Sequence, residues 1–539
     1  MGRTAASITR LGRRWLAAAA LCGCLLAPAV AESTIIAIGD VHGAFAEFEA
    51  LLRGIGLIDA EHRWRGGDTK LVSLGDLLDR GPDSRRVMDL LRDLQAQAPA
   101  AGGQVHVLLG NHEAMNLIGD LRDVSAAEFA AYANDEPTTA ASAPPVDRPV
   151  GYAEHRRAFA PGGDYGAWLL GLPAVLQIGD TLFMHGGLTP ATAALGVAGI
   201  NARVTADLRA AIAAGHTTTA DTRAAYPLLG GGGPLWYRGL TSCHPLIEGD
   251  RIDAVLKALN ARRMVVGHTP TPSRAIEARH DGRVIAIDTG MLRAFYRGQP
   301  RALRIEGERL AALDENGKVS ALATPTGVRS GNDAAEAQIA AALARATPSG
   351  VDAATGLLQF DLEGTRFEAR FVATGERAAR RATALWRLDR LLGVALTPLT
   401  ITYRLNGKSG YLYLVHGKWM PETRRAERGL SRPNHCTSSG GYAVLAAFDA
   451  LTRSKPRRGE FLSYNTRNWR IRVTEQHETF GTQRKVLDYG DDARLPLALR
   501  KRLQQLDAET LQQRLGDWLP ERELRALLSR RDKLLEWAS

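Results

Sequence analysis

This 539-residue chain lacks several features that would decide its class at once. It has four cysteines, two of them (Cys22 and Cys24) within the first 31 residues, which leaves Cys243 and Cys436 alone in the remainder. Two cysteines so far apart make neither a disulfide scaffold nor a metal-binding pair. They either bridge two domains or stay as thiols. Aromatic residues are 6% of the chain, and the formal net charge is only +10. Four of the bases (Arg3, Arg10, Arg13 and Arg14) lie in an amino-terminal stretch with no acids, so the excess beyond residue 31 is +6. That is thin evidence for a nucleic-acid partner, and none is expected. With 45% apolar residues spread through the chain, wholesale disorder is not expected either. The length calls for two or more domains, each with its own core.

Residues 1–31 read as an export signal. Arg13–Arg14 lead into WLAAAALCGCLLAPAVA, and Ala29-Val30-Ala31 has the small-x-small pattern of a cleavage site. Gly23 and Pro28 interrupt the apolar run, so removal is expected rather than a retained membrane span. The mature protein is then periplasmic or secreted. The paired arginines also suit export in the folded state, and Leu21-Cys22-Gly23-Cys24 resembles a lipoprotein box, which keeps lipidation at Cys24 as an alternative.

From residue 33 to about 305, short apolar runs alternate with helical patterns, the signature of an α/β domain. Six runs are expected strands: 34–39, 70–75, 105–110, 180–186, 262–267 and 283–288. Each ends in a cluster of Asp, His, Asn, Gly or Thr. The carboxyl ends of strands form the functional edge of α/β sheets, where loops converge over a rigid scaffold. The Pro/Ala-rich stretch 135–150 reads as a surface excursion, and 325–350, poor in bulky apolar residues, as an interdomain linker. The division is therefore 1–31 signal, 32–324 first domain, 325–350 linker and 351–539 second domain.

The clusters carry ligand chemistry. Asp40 and His42, two residues apart on an extended chain, can share one metal. Further on come GDLLDRG (75–81), GNHE (110–113), HGG (185–187) and GHT (267–269). Carboxylates and imidazoles with an amide oxygen suit Mn, Fe or Zn rather than copper or an iron–sulfur cluster. Two such metals about 3.5 Å apart would need a bridging carboxylate and would hold hydroxide in line with a phosphorus atom. Arg80 can bind the phosphate oxygens with its planar fork, and His112 can protonate the leaving group. A DxH or a GNHE alone would be an ordinary turn, and Asp76 and Asp79 alone could cap a helix. All of these motifs together, in order at strand ends, make a site.

This set of motifs closely resembles the calcineurin-like metallophosphoesterases, in particular the phosphoprotein-phosphatase branch and its Shewanella-like bacterial type. YGAWLLGLP (165–173), LFMHGGLTP (182–190), GPLWYRG (233–239) and IDTGM (287–291) extend the resemblance. It implies a β-sandwich flanked by helices and two divalent metal ions, manganese first, with iron or zinc as alternatives. Carried over to this chain, it assigns Asp40 and His42 to the first metal, Asp76 to the bridge, and Asn111, His185 and His268 to the second metal. Arg80 and Arg238 would contact the phosphate, and His112, oriented by Asp79, would be the general acid. Thr269-Pro270 replaces the final His of the GHxH found in broader relatives, as in the phosphoprotein-phosphatase branch. Asp288 is read as a supporting residue. The remaining histidines (His62, His106, His155, His216, His244 and His280) are read as core or surface residues, with His244 also a candidate for the pocket.

The carboxyl half carries less. Residues 386–417 and 448–481 weakly resemble the HipA/Fam20-like kinase fold, an α+β domain. A phosphotransferase needs a group on the nucleotide phosphates, carboxylates for Mg²⁺ and an aligned base. Where that group has GNxDR, this chain has Arg453–Glu460; Glu475-Gln476 stands where a metal-binding Asp would, and Ala382 where a helix Glu would. The expectation is an inactive, kinase-like accessory domain. A basic tract (Arg424, Arg425, Arg428 and Arg432, with Lys455, Arg457 and Arg458) reads as a solvated face.

The leading expectation is a phosphatase acting on phosphomonoesters, phosphoproteins among them, or on a small-molecule substrate. Hydrolysis of a diadenosine polyphosphate or another phosphoanhydride is the enzyme alternative. A binding or scaffold protein acting through the carboxyl half is the alternative of another class.

Overall fold

Four-residue runs such as Ile35–Ile38, aliphatic, buried along their whole length and bounded by Gly and Asp, have the composition of interior strands rather than of helices. A computed structural model describes residues 33–133, 148–323, 333–415, 419–430, 438–454, 459–465, 470–474, 476–486 and 495–537. In it the expected runs become β1 (Ile35–Ile38), β2 (Lys70–Ser73), β3 (Gln104–Val107), then β5 (Thr181–Met184), β6 (Arg263–Val266) and β8 (Val284–Ala286). Between and after them stand β4 (Val175–Ile178), β7 (Glu277–Arg279), β9 (Arg301–Glu306), β10 (Arg309–Asp314) and β11 (Val319–Ser320).

Two sheets result, in the orders β11-β10-β9-β1-β2-β3 and β4-β5-β6-β8-β7. In the first, β1, β2 and β3 run parallel; in the second, β5, β6 and β8 do. Their inner faces meet in one core holding Ile35, Ala37, Val72 and Leu108 from one sheet with Phe183, Val265 and Ile285 from the other. Helices cover the outer faces, among them α1 (Phe45–Gly54), which buries Phe45, Phe48, Leu51 and Leu52, and α2 (Ser84–Gln97). This is a β-sandwich flanked by helices. Its parallel strands all end at one edge, so both sheets deliver polar loops to the same place.

The carboxyl half holds a five-stranded sheet and a three-stranded sheet. The first comprises β12 (Gly350–Val351), β13 (Leu358–Leu362), β14 (Thr365–Ala373), β15 (Thr400–Leu405) and β16 (Lys408–Leu414); the second, β17 (Trp419–Pro421), β18 (Leu462–Asn465) and β19 (Ile471–Val473). Helix Glu376–Leu392 packs on both β15 and β16. The stretch read as a linker contains a helix, Asp333–Arg345, whose Ala340 and Leu343 join the core of the larger sheet. Alanine brings little hydrophobicity but the best helix propensity, so low apolar bulk there does not mean an unstructured connection.

The two halves share packing. Leu246, from helix Pro245–Ala258, sits in the same core as Leu388, Val394 and Leu499. The Leu497 N–H donates to Asp250 Oδ2 at 2.9 Å. No described helix is long and apolar enough to cross a membrane. The expected export signal, most of the 135–150 excursion, Cys436, Glu475, Arg432, Lys455, Arg457 and Arg458 lie outside the described residues.

Candidate metal centre

Asp40, His42, Asp76, Asn111, His185 and His268 each stand within four residues of the end of a parallel strand. The chain there is strained. Among non-glycine residues, His42, Asp76, Asp79, Arg80 and His268 have φ of 50°, 52°, 70°, 68° and 65°. A left-handed conformation costs an L-residue about 1–2 kcal/mol, so the surroundings must hold it. They do so through the backbone: the N–H groups of Val41 and His42 both donate to Asp76 O at 2.9 Å. Glycines admit the approach. At Gly110 a Cβ would lie 2.2 Å from Asp76 Oδ1, and at Gly75 (φ +87°) one would lie 2.3 Å from Gly110 N.

His185 shows what this site requires. Its Nδ1–H donates to Leu74 O at 3.1 Å, which leaves Nε2 as the lone-pair nitrogen. That atom lies 3.2 Å from Asp76 Oδ2 and 3.0 Å from both Asn111 Oδ1 and His268 Nδ1. Three acceptor atoms and a ring nitrogen of His268 converge, more lone pairs than the few protons there can satisfy. A cation can. Against the downward pull of burial, Asp76 and Asp40 push His185 up to about 9, so the pocket calls for positive charge. Burial and the neighbouring Asp288 raise Asp40 well above the ordinary carboxyl range.

A second group adjoins the first. His42 donates Nδ1–H to Leu78 O at 2.8 Å and turns Nε2 toward Asp76 Oδ2 (3.7 Å) and Asp40 Oδ2 (3.8 Å). Asp76 faces both groups, and each offers ligand atoms within 4.8 Å of one another: Asp76 with His185 and His268, and Asp76 with His42 and His112. Imidazole, carboxylate and amide oxygen suit divalent metals, and the residues present fit a pair of them.

The remaining candidates ring this pair. His112 Nδ1 donates to Asp79 Oδ2 at 2.5 Å, and Asn116 Nδ2 holds Asp79 Oδ1 at 2.9 Å. With Nδ1 so engaged, His112 presents Nε2 to the cleft, 3.8 Å from Asp76 Oδ2. Arg80 Nη1 donates to His42 Nε2 at 2.6 Å and also meets the Tyr296 hydroxyl. Arg238 Nη1 donates to His268 O at 2.7 Å and to Thr269 Oγ1 at 3.0 Å. All ten residues nominated from sequence thus gather around one centre.

Some residues gained a place that sequence reasoning did not supply. Glu113 is fully buried and accepts the N–H groups of Asp76 (2.8 Å), Leu77 (2.8 Å) and Gly110 (2.7 Å), so it shapes the Asp76 loop. Burial, with Asp76 nearby, raises its carboxyl to about 7. Its position inside GNHE was the available signal. Tyr296 and Asp123, both in contact with Arg80, lie outside every motif. Asp288 supports the centre: Oδ1 accepts from Gly290 N at 2.9 Å, and burial lifts its carboxyl to about 6. His244 does not line the pocket. It donates Nε2–H to Val394 O at 2.6 Å, while Nδ1 accepts from Leu246 N and caps the following helix. Cys243 is disulfide-bonded, which rules out a free thiol there; the other three cysteines lie outside the described residues.

Comparison with known proteins agrees with this geometry. The family model for calcineurin-like phosphoesterases matches residues 33–272. An uncharacterized protein of Schizosaccharomyces pombe is 34% identical over 285 residues, covering 51% of this chain and 77% of that protein. Shewanella-like protein phosphatase 2 of Arabidopsis thaliana is 29% identical over 299 residues, 50% of this chain and 74% of its own length. Shewanella-like protein phosphatase 1 of Plasmodium berghei is 28% identical over 285 residues, 52% of this chain and 73% of its own length. The matched family region holds all six ligand candidates from Asp40 to His268, and, with a relative 34% identical over 77% of its own length, the chain belongs to the calcineurin-like phosphoesterase family.

Proposed function

We propose that this protein is an exported, two-metal phosphatase that hydrolyses phosphomonoesters, phosphoproteins among them. The observation that carries the reading is the convergence of Asp76 Oδ2, Asn111 Oδ1 and His268 Nδ1 on His185 Nε2, beside a buried His112–Asp79 pair. Asp40 and His42 would hold one metal, Asn111, His185 and His268 the other, with Asp76 between them. The metals, manganese in the first instance, supply Lewis-acid charge and an activated water. Arg80 and Arg238 take the nonbridging oxygens of the phosphoryl group, whose charge they offset in a largely buried cleft. His112, its tautomer set by Asp79, gives the Nε2 proton to the departing oxygen. No covalent phosphoenzyme is required, and Cys243, held in a disulfide, supplies no nucleophile.

Export rests on the sequence of residues 1–31. The carboxyl half serves as an inactive kinase-like accessory domain. Gln476, at the place of a metal carboxylate, is buried with Oε1 accepting from Thr400 Oγ1 at 2.9 Å, which supports a structural role.

The test is phosphate release from p-nitrophenyl phosphate by the metal-stripped chain resupplied with Mn²⁺, beside Asp76→Asn at matched metal. Metal-dependent turnover that disappears in the variant is expected. A folded protein that holds two metals and releases no phosphate would refute the proposal.

A further inference from the structure

One partly exposed carboxylate beside the centre is not among the residues assigned to metal. Asp123 lies between α3 (Asn111–Ile118) and helix Ala126–Ala130, in a loop tied to the strained Asp79–Gly81 segment at two points. Its carbonyl accepts from Arg80 N at 2.9 Å, and the neighbouring Ser125 Oγ donates to Gly81 O at 3.0 Å. The side chain, 37% exposed, places Oδ2 3.7 Å from Arg80 Nη2 and 4.0 Å from His112 Nε2. A leaving oxygen must come within about 3 Å of Nε2 to receive its proton, so the group behind that oxygen passes beside Asp123.

We propose that Asp123 determines specificity by rejecting leaving groups that carry negative charge. The inference rests on the proposed role of His112, which defines the leaving-group side. An alcohol or phenol develops a single charge, and the proton from His112 cancels it. The leaving phosphate or nucleotide of an anhydride brings further charges, and the cations nearby are engaged. Arg80 faces the transferred phosphoryl group, Arg122 pairs with Asp120 at 3.1 Å, and Arg223 lies over the Trp236 ring at 3.9 Å. Arg80 also borders an aromatic wall, which carries the Tyr296 hydroxyl. Its guanidinium sits 5.7 Å from the Phe295 ring and 5.6 Å from the Tyr296 ring, and Phe295 is 60% exposed. A neutral organic leaving group suits that wall; a polyphosphate does not.

The experiment compares kcat/KM for phenyl phosphate with that for pyrophosphate and ATP, using the full chain with Mn²⁺, in wild type, Asp123→Asn and Asp123→Glu. Asp123→Asn also frees Arg80, which alters phosphate binding for every substrate, so the anhydride-to-monoester ratio is the readout. In wild type the ratio favours phenyl phosphate. In Asp123→Asn it shifts toward the anhydrides by about tenfold, between the roughly fivefold that two charges about 4 Å apart are worth in bulk water and the roughly thousandfold at the lower effective dielectric near a protein surface. Asp123→Glu keeps the wild-type ratio, and added salt narrows the wild-type preference. An unchanged ratio in Asp123→Asn overturns the inference and leaves the phosphatase proposal standing. Absence of phenyl phosphate turnover in wild type is the separate failure of that proposal, and the inference falls with it.

Discussion

His155 gives the cleanest prediction because it is buried away from the metal centre. Its ring has no exposure, and neither ring nitrogen has a hydrogen-bond partner among the described residues. Phe159 stacks on it at 4.4 Å between ring centroids, with Phe129 at 5.0 Å and Tyr132 at 5.1 Å edge-on. Burial first, and the adjacent Arg156 second, lower its pKa from 6.5 to about 3. A histidine held neutral in the fold is protonated below 6.5 only when the chain unfolds. Between these two values the unfolded state therefore binds more protons, and stability falls as the pH falls. At pH ~5 the loss amounts to about 2 kcal/mol, and at pH ~7.5 it is close to zero.

His155→Leu removes the titration and keeps the site apolar. Urea unfolding of the two proteins, followed in parallel at both pH values, isolates the effect. The metal ligands also protonate in acid, but they do so in both proteins and cancel in the difference. The variant's packing cost appears equally at both pH values. The prediction is that the variant gains about 2 kcal/mol on wild type as the pH falls from ~7.5 to ~5. A difference that stays constant with pH refutes the burial argument.

Asp79→Asn deprives His112 of its carboxylate partner and should lower kcat by about 10²–10⁴-fold, with bound metal unchanged on elemental analysis. Glu113→Gln turns one of three backbone N–H contacts into a donor–donor clash. It should cost about 1–3 kcal/mol in thermal unfolding and loosen metal retention during dialysis. Chelation leaves Asp40, Asp76 and Asp288 crowded and buried without a cation, so EDTA should lower Tm and Mn²⁺ restore it. Metal at a hundredfold excess over its Kd is worth about 3 kcal/mol.

The six runs that carry the centre needed nothing beyond sequence. A strand buried on both faces must be apolar throughout, and the loop leaving it must turn sharply, so GDVHG, GDLLDRG and GNHE are legible as apolar run followed by glycine and ligand. The ten candidate residues follow from those motifs together with HGG, GHT and GPLWYRG and from the family resemblance they carry, and all but Arg238 stand in segments that leave a strand. Tertiary structure decided what depends on separation. Asp40 Oδ1 accepts the N–H of His268 across 228 positions, and Arg80 reaches Tyr296 across 216. No local pattern encodes such a pairing. The same holds for Asp123, whose side chain matters only because its loop is tied to Gly81, and for His244, which turns toward Val394 rather than the cleft. Helix Asp333–Arg345 was hidden because alanine looks alike in a linker and in a helix until Leu343 finds a core to enter. Sequence determines which side chains stand at each strand end; the packing of two sheets on one core decides which of them meet, because contact across the sandwich depends on sheet order and register rather than on distance along the chain.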